Sequence, residues 1–236
     1  RSISSMLQTL GQYTRYLEKL PDTLAHEMHN PLNVVNSSLD YLEYQHRDLV
    51  DDKYLNRARS GIFRLRTILT SLTEAANLKE ALRNEQSDEE RFNLVELVTG
   101  CVDGYQLSNP SRAFLNHFPA SPVFIHGTPD RIAQLLDKLI DNAVQFGRER
   151  SAIIVRINEL PNIIQLSVIN DGPTLPRELS ARVFDPMVSS STDARHSHLG
   201  LGLYIVREIA EFHGATVVAN NRGDANGVEV TVNFTK

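Results

Sequence analysis

Three polar residues near the start of the chain have the types and spacing of a reactive histidine site. His26, Glu27 and Asn30 lie in the segment AHEMHNPL, residues 25–32, on the flank of an apolar helical stripe where an imidazole is exposed enough to react. Imidazole can act as a nucleophile, an acid or base, or a metal ligand. The zinc-protease motif needs histidines at i and i+4, but here His29 stands at i+3 and Asn30 at i+4. That zinc motif is excluded, and the adjacent acid and amide favour chemistry at His26 itself.

Two long helices are predicted to position this segment. Apolar residues step by threes and fours between residues 3 and 42, and again between residues 55 and 76, which is the spacing of a coiled coil or helical bundle. The polar residues 45–53 between the two runs are short enough for a helix–helix turn. Two such helices cannot cover their own apolar stripes, so we expect a homodimer that forms a four-helix bundle. Pro31 is expected to kink the first helix.

The second half of the chain alternates strand and helix patterns. Residues 83–91 are polar and charged, as in a linker. The clearest helix has an apolar face bordered by Lys138, Asn142 and Gln145. An α/β domain is therefore predicted, with strands at 152–158, 163–170, 215–221 and 227–234 and helices at 93–107, 130–147 and 200–213.

Composition and charge restrict the functional classes. Hydrophobic residues make up 41% and charged residues 22% of the 236 residues, as in ordinary globular proteins. The net charge of −5 argues against nucleic acid as a partner. Cys101 is the only cysteine, which excludes an internal disulfide and fits a reducing compartment. No apolar run is long enough to span a bilayer.

Five motifs in a fixed order resemble those of the sensor histidine kinases, and this resemblance extends over almost the whole chain. HEMHNPL at 26–32 resembles the family's H box, and LIDNA at 139–143 with Phe146 resembles its N box. The other three are similar to the first glycine box, the F box and the second glycine box, and they are NDGPTLP at 170–176, VFDP at 183–186 and GLGLYIV at 200–206.

The resemblance implies an α+β multidomain fold class. A long antiparallel helical hairpin at residues 1–85 would carry dimerisation and histidine phosphotransfer, and it would form a dimeric four-helix bundle. A linker at 86–92 would lead to a catalytic ATP-binding domain at 93–236. That domain would be a two-layer α/β sandwich with a mixed sheet, which is the histidine kinase and Hsp90-like ATPase fold.

For the H box, the resemblance implies a phosphoacceptor and two supporting groups. His26 would attack the γ-phosphate of ATP through one ring nitrogen, while Glu27 would accept a hydrogen bond or a proton from the other. Asn30 would orient the water that dephosphorylates a partner, since i and i+4 share a helix face. The phosphoryl group of His26 would pass to an aspartate in the receiver domain of a response regulator.

For the ATP domain, the resemblance implies a Mg²⁺-dependent nucleotide site. Asn142 would coordinate the Mg²⁺ that bridges the phosphates. Gly200 and Gly202 would let the backbone of a helix N-terminus approach them. Arg195, the only Arg or Lys in residues 187–199, would touch phosphate from an ATP lid. The other implied nucleotide contacts are Lys138, Gln145, Asn170, Asp171, Gly172, Phe184, Leu201 and Leu203.

Several residues depart from the usual form of these motifs. Asn170 stands where an aspartate usually accepts a hydrogen bond from the adenine amino group, and without charge assistance that bond is about 1 kcal/mol weaker. Asp171, the next residue, is a competing candidate for this role. Thr174 and His198 each replace a glycine, Lys138 replaces an asparagine and Gln145 a lysine.

Two other functions stay open at this point. A non-catalytic or phosphatase-biased nucleotide-binding dimeric switch would explain the departures, and it would bind ATP without phosphoryl transfer. A serine kinase or ATPase could use the same ATP domain, and its label would survive the replacement of His26 by alanine.

The location of the chain is also an expectation. The chain begins with Arg1 rather than Met, so we expect a cytoplasmic fragment with no direct membrane contact. The full-length protein would be anchored in the bacterial inner membrane by a sensor upstream.

Overall fold

The computed structural model describes residues 27–46, 52–84, 89–188, 200–223 and 226–236. The chain divides into two units after Asn77. No helix in these five ranges has the length and hydrophobicity to cross a membrane. The elements are α1 (27–45 in its described part), α2 (Lys53–Asn84), β1 (Glu90–Asn93), α3 (Leu94–Ser108), β2 (Phe114–His117), β3 (Phe124–Gly127), α4 (Pro129–Phe146), β4 (Ile153–Glu159), β5 (Ile163–Asp171), α5 (Arg177–Ser180), α6 (Gly202–Phe212), β6 (Thr216–Asn221) and β7 (Gly227–Thr235).

The first unit is a pair of helices. Arg59 of α2 pairs with Asp40 of α1 at 2.8 Å, and Arg66 donates to Asn33. The residue numbers of the partners increase along α2 as they decrease along α1. The two helices are therefore antiparallel, as predicted. Residues 1–26 and 47–51 of the predicted hairpin lie outside the described ranges. α1 is helical through Pro31, and the predicted kink stays a prediction. The core of the pair consists of Leu32, Leu39, Ile62 and Leu69.

The last turns of α2 belong to the second unit. Leu78 and Leu82, one helical turn apart, are both buried. Between them Lys79 pairs with Glu208 of α6 at 3.2 Å, and this hydrogen-bonded carboxylate raises the pKa of Lys79. The boundary between the units therefore precedes the predicted boundary at residue 85, because the end of α2 continues to bury apolar side chains.

The second unit is a five-stranded sheet with helices packed on one face. The strand order is β2-β4-β5-β7-β6. β2 and β4 are parallel and the other neighbours are antiparallel, so the predicted mixed sheet in a two-layer sandwich is confirmed. α3, α4 and α6 cover the sheet. The side chains between the layers include Ile132, Leu136, Ile140, Val155, Leu166, Ile205, Ile209 and Val232.

The four predicted strands and three predicted helices of this unit are found within two residues of their bounds. Three short strands were not predicted. β1 and β3 form a separate antiparallel ladder, where Arg91 stacks over the ring of Phe124 at 3.8 Å. β1 begins at Glu90, inside the predicted linker 86–92, and the predicted linker stays a prediction. β1, β2 and β3 have four residues each, too few for a clear alternation of polar and apolar residues.

His213 joins the end of α6 to the start of α4. Its Nε2 accepts a hydrogen bond from the backbone N–H of Thr128 at 3.0 Å, so Nδ1 carries the proton and donates to the carbonyl of Ile209 at 2.7 Å. The bond from Thr128 requires the neutral ring, because a protonated Nε2 cannot accept. Burial lowers the pKa of His213. A Cβ at Gly127 would lie 2.3 Å from this ring, so the histidine also fixes the close approach of β3.

We expect His213 to make the stability of the chain depend on pH. Its pKa is lower in the folded state than the ~6.5 of an unfolded histidine, so the unfolded chain binds the proton first. The stabilisation is complete above about pH 6.5 and is lost as the pH falls through the folded pKa. Urea unfolding at several pH values should show that the free energy of unfolding falls with decreasing pH in the parent. This dependence should be weaker in His213→Gln, whose amide oxygen can still accept from Thr128. An unchanged dependence would contradict this role.

Candidate functional site

α4 carries the polar stripe predicted for the N box. Lys138, Asn142 and Gln145 are half-buried at the border of its apolar face. Lys138 and Gln145 have polar or electrostatic interactions. Asn142 presents an amide, whose oxygen is a hard ligand of the kind that Mg²⁺ accepts. The stripe therefore lies on a helix that the core holds rigidly.

The end of β5 distinguishes the two candidates for an adenine acceptor. Asn170 is 5% exposed, and its Nδ2 donates to the carbonyl of Asp171 at 3.3 Å. That bond leaves the amide oxygen of Asn170 as the group that can accept from a ligand. The carboxylate of Asp171 instead forms an ion pair with Arg222. The contacts favour Asn170 over Asp171 for this role.

The first glycine box contacts the end of the N box helix. The backbone N–H of Arg148 donates to the carbonyl of Asp171 at 2.6 Å. A Cβ at Gly172 would lie 2.4 Å from the carbonyl oxygen of Phe146, a distance that real Cβ atoms do not show. Gly172 therefore lets β5 and α4 approach closely, and this approach brings two of the predicted motifs together.

The second glycine box forms the start of α6. Gly200 has φ +66° and packs on the backbone of Val188. Leu201 and Leu203 are buried and hold the first turn against the core. No side chain caps the helix at Leu201, and a Cβ at Gly202 would meet no described atom within 4 Å. The first turn of α6 thus presents backbone N–H groups beside open space.

The F box lies in a turn that α6 holds. Phe184 is half-buried, and the neighbouring Asp185 pairs with Arg207 of α6 at 3.1 Å. The same α6 begins at Gly202, so the F box and the second glycine box share one support.

The residues of the H box and the lid are described only in part. Glu27 and Asn30 are exposed on α1. His26, Arg195 and His198 lie outside the described ranges.

Comparison with known protein families identifies the second unit. The family model of histidine kinase-, DNA gyrase B- and HSP90-like ATPases matches residues 127–236, which contain α4, the sheet strands β4–β7 and α6. Residues 127–236 are therefore similar to the ATPase domains that histidine kinases, DNA gyrase B and HSP90 share. The chain is related to the sensor histidine kinases of two-component systems, as its motifs predicted.

Individual relatives agree with this family. The sensor protein kinase WalK of Staphylococcus aureus is 22% identical over 98% of the chain, which spans 41% of WalK. The catalytic domain of histidine kinase ThkA is 27% identical with a TM-score of 0.56, over 63% of this chain and 95% of that one. ThkA in complex with the response regulator TrrA has a TM-score of 0.62 at 24% identity, over 99% of this chain and 64% of that one.

In the matched residues 127–236, two residues near the first glycine box were missed as site candidates. Phe146 ends α4 with a half-buried aromatic ring, and its backbone lies next to Gly172. It was noted only as part of the N box, although an aromatic ring at this position can stack on a base. Arg222 pairs with Asp171 from 51 residues away, and nothing in the sequence pattern indicates that pair.

Asn170 provides a test of the adenine contact. Replacing Asn170 by aspartate supplies a charged acceptor at the same position. We expect the dissociation constant for ATP to fall about fivefold, because a charge-assisted hydrogen bond is stronger by about 1 kcal/mol. Asn170→Leu should raise that constant instead, in titration calorimetry on both variants. Equal affinities in the three proteins would exclude Asn170 from the adenine contact.

Proposed function

We propose that the chain is an ATP-dependent protein-histidine kinase that phosphorylates His26. The observation that carries the proposal is the match of residues 127–236 to the family of histidine kinase-, DNA gyrase B- and HSP90-like ATPases, in a chain that also has HEMHNPL at 26–32. The ATP domain would supply the phosphoryl group and the H box the nucleophile.

The described residues fit ATP and Mg²⁺. Asn142 would donate one amide oxygen to Mg²⁺, and the phosphates and water would complete the shell, since Mg²⁺ retains waters. The open space at Gly202 suits phosphate oxygens beside the uncapped N–H groups of α6. Asn170 would accept from the adenine amino group, and Phe146 would stack on the ring. Mg²⁺ would neutralise charge as it develops on the phosphates.

The proposed chemical step is an in-line phosphoryl transfer. A ring nitrogen of His26 forms a bond to the γ-phosphorus as the bond from that phosphorus to the bridging oxygen breaks, and ADP leaves with the electron pair. Glu27 accepts the proton of the other ring nitrogen, or a hydrogen bond from it, and so stabilises the positive charge that develops on the imidazole.

The phosphoryl group would then pass to an aspartate of a response regulator. ThkA, whose structure is similar to 99% of this chain, was solved in complex with the response regulator TrrA. A receiver domain is therefore the partner that we propose for the H box. Asn30, exposed on α1, would orient water for dephosphorylation of that partner. The same helix face would then serve both phosphotransfer to the regulator and its dephosphorylation.

A phosphatase-biased switch is the second candidate function. Lys138 and Gln145 stand where the resemblance implies an asparagine and a lysine, which alters the groups that would face the phosphates. The exposed Asn30 supports phosphatase activity independently of these two residues. Such a switch would dephosphorylate a regulator but label His26 slowly, and Asn30→Ala would remove only the phosphatase activity.

We also propose that the helix pair dimerises. Met28, Val35 and Leu42, at every seventh position of α1, are 43%, 47% and 44% exposed. This spacing is that of a seam between helices, and a second copy of the hairpin would cover it. The resulting four helices would form the predicted bundle.

A charge on this seam is expected to separate the dimer. Leu42→Glu should produce monomers in sedimentation experiments, because it places carboxylates in the apolar interface. Tyr44→Glu is the matched control, since Tyr44 is 76% exposed and lies off the sevenfold repeat. Dimers that survive Leu42→Glu, or that Tyr44→Glu breaks equally, would contradict the seam.

The chain spans only 41% of the length of WalK, so its place in a longer protein is also a proposal. We propose that it is a cytoplasmic portion, where ATP and a response regulator meet. A sensor anchored in the bacterial inner membrane would precede it.

Phosphotransfer tests the proposed kinase. The chain is first labelled with γ-labelled ATP and freed of nucleotide, and purified receiver domains are then added. We expect label to leave the chain and to appear on one receiver within minutes, but not on its Asp→Ala variant. Binding of ATP with only slow labelling of the chain, or with none, would favour the switch.

A further inference from the structure

The turn between β6 and β7 contacts the first glycine box from outside the nucleotide site. The described residues of this turn are 221–223 and 226–227. Three separate contacts join them to residues 170–176. None of these turn residues belongs to a motif of the sequence analysis.

The first contact is a pair of hydrogen bonds from one side chain. Oδ1 of Asn221 accepts from the backbone N–H of Leu175 at 2.6 Å, and Nδ2 of Asn221 donates to the carbonyl of Leu175 at 2.9 Å. An amide side chain here replaces the two bonds that a neighbouring strand would make. It fixes the segment that leads from the glycine box towards α5 and the F box.

The second and third contacts hold the end of β5. Arg222 forms an ion pair with Asp171, and the backbone N–H of Gly172 donates to the carbonyl of Asn226 at 3.3 Å. The partner of the Asp171 carboxylate and the partner of the Gly172 N–H therefore come from one turn. Asn170, which comes just before them, is buried on the face that the helices cover.

The start of β7 also restricts Asn170. A Cβ at Gly227 would lie 1.9 Å from the carbonyl oxygen of Asn170, so only glycine allows this approach. The backbone of Asn170 is thus held between Ile153 of β4 on one side and the start of β7 on the other.

We infer that the β6–β7 turn positions the adenine acceptor, with Asn221 and Arg222 as positioning residues for nucleotide binding. The inference rests on the proposed function, because it assigns the turn to the same ATP site. Neither side chain touches the nucleotide. They act through Leu175 and Asp171, whose displacement would move the oxygen of Asn170 out of hydrogen-bond range.

This role has a kinetic signature. Adenine binding precedes phosphoryl transfer, and the phosphates are held by α4 and α6 rather than by the turn. Loss of the turn contacts should therefore weaken ATP binding and raise KM, while kcat at saturating ATP stays close to that of the parent. A residue that only supported stability would lower the melting temperature without that split.

The experiment is a titration of the full chain with the β,γ-imido analogue of ATP and Mg²⁺, together with melting curves and steady-state labelling. We expect Asn221→Ala and Arg222→Met to raise the dissociation constant about tenfold, or 1.4 kcal/mol each. Asn220→Ala is the matched control, because this exposed neighbour points to the other face of the sheet. Asn220→Ala and the rescue variant Arg222→Lys should stay within about twofold of the parent.

The outcomes separate the two proposals. A parent that fails to bind the analogue removes the proposed function, and the inference with it. A parent that binds, with Asn221→Ala and Arg222→Met equally tight, overturns the inference alone. If Asn221→Ala does not fold, Asn221→Asp decides, because it keeps the acceptor for Leu175 N–H and loses the donor. Its affinity must then lie below that of the parent, and parental affinity overturns the inference.

Discussion

Replacing Asn142 by alanine is expected to reduce autophosphorylation about 10²–10³-fold, the usual cost of removing a group that stabilises transition-state charge. The alanine removes an amide oxygen from a helix that the core holds rigid. Mg²⁺ would then lose its ligand from the protein, and the γ-phosphate its fixed position. The rate of labelling from γ-labelled ATP at saturating ATP and Mg²⁺ measures the effect.

Two further variants control for effects on the fold. Asn158→Ala removes a half-buried amide on the opposite face of the sheet, and it should label as the parent does. Asn142→Asp keeps an oxygen ligand, so it should retain more activity than Asn142→Ala. Rapid labelling of Asn142→Ala would remove Asn142 from the metal site.

Replacing Gly202 by alanine should weaken ATP binding about 10–100-fold without lowering stability. The new methyl group meets no described protein atom within 4 Å, and alanine is the better helix former. The open space is where we place the phosphates, so the methyl group would exclude ligand rather than protein. Calorimetric titration with ATP and a melting curve measure the two effects separately.

Two other glycines give the comparison. Gly104, inside α3, also has no described atom outside its own helical backbone within 4 Å of an added Cβ, so Gly104→Ala should bind ATP normally. Gly200 has φ +66°, and Gly200→Ala places a Cβ 2.2 Å from the carbonyl oxygen of Val188. This variant should therefore lower the stability of the fold in addition to the affinity for ATP. Parental affinity in Gly202→Ala would show that phosphates do not approach α6 here.

The fold of the second unit could be predicted where the periodic signal is long. α4 has 18 residues with one buried face, and β5 and β7 have nine each, so pattern alone gave their bounds closely. β2 has four residues and pairs in parallel with β4, which is a long-range partnership. No local pattern can reveal such a pairing.

The candidate site could be predicted in its residue types but not in its contacts. The motif placed Asn170 at the position of the usual adenine acceptor, and it left Asp171 as a competing candidate. The choice depends on Arg222, which pairs with Asp171 from 51 residues away in the sequence, and on the burial of Asn170. Both facts arise from tertiary packing. The predicted roles of His26, Glu27, Asn30 and Arg195 stay predictions.

The central claim is that the phosphoryl group of ATP reaches His26. The most direct measurement incubates the purified chain with γ-labelled ATP and Mg²⁺ beside His26→Ala, and follows the stability of the label. We predict a label on the parent that acid removes and alkali does not, as expected for phosphohistidine, and no label on His26→Ala. Equal labelling of His26→Ala, or a label stable in acid, would contradict the assignment and favour a serine kinase.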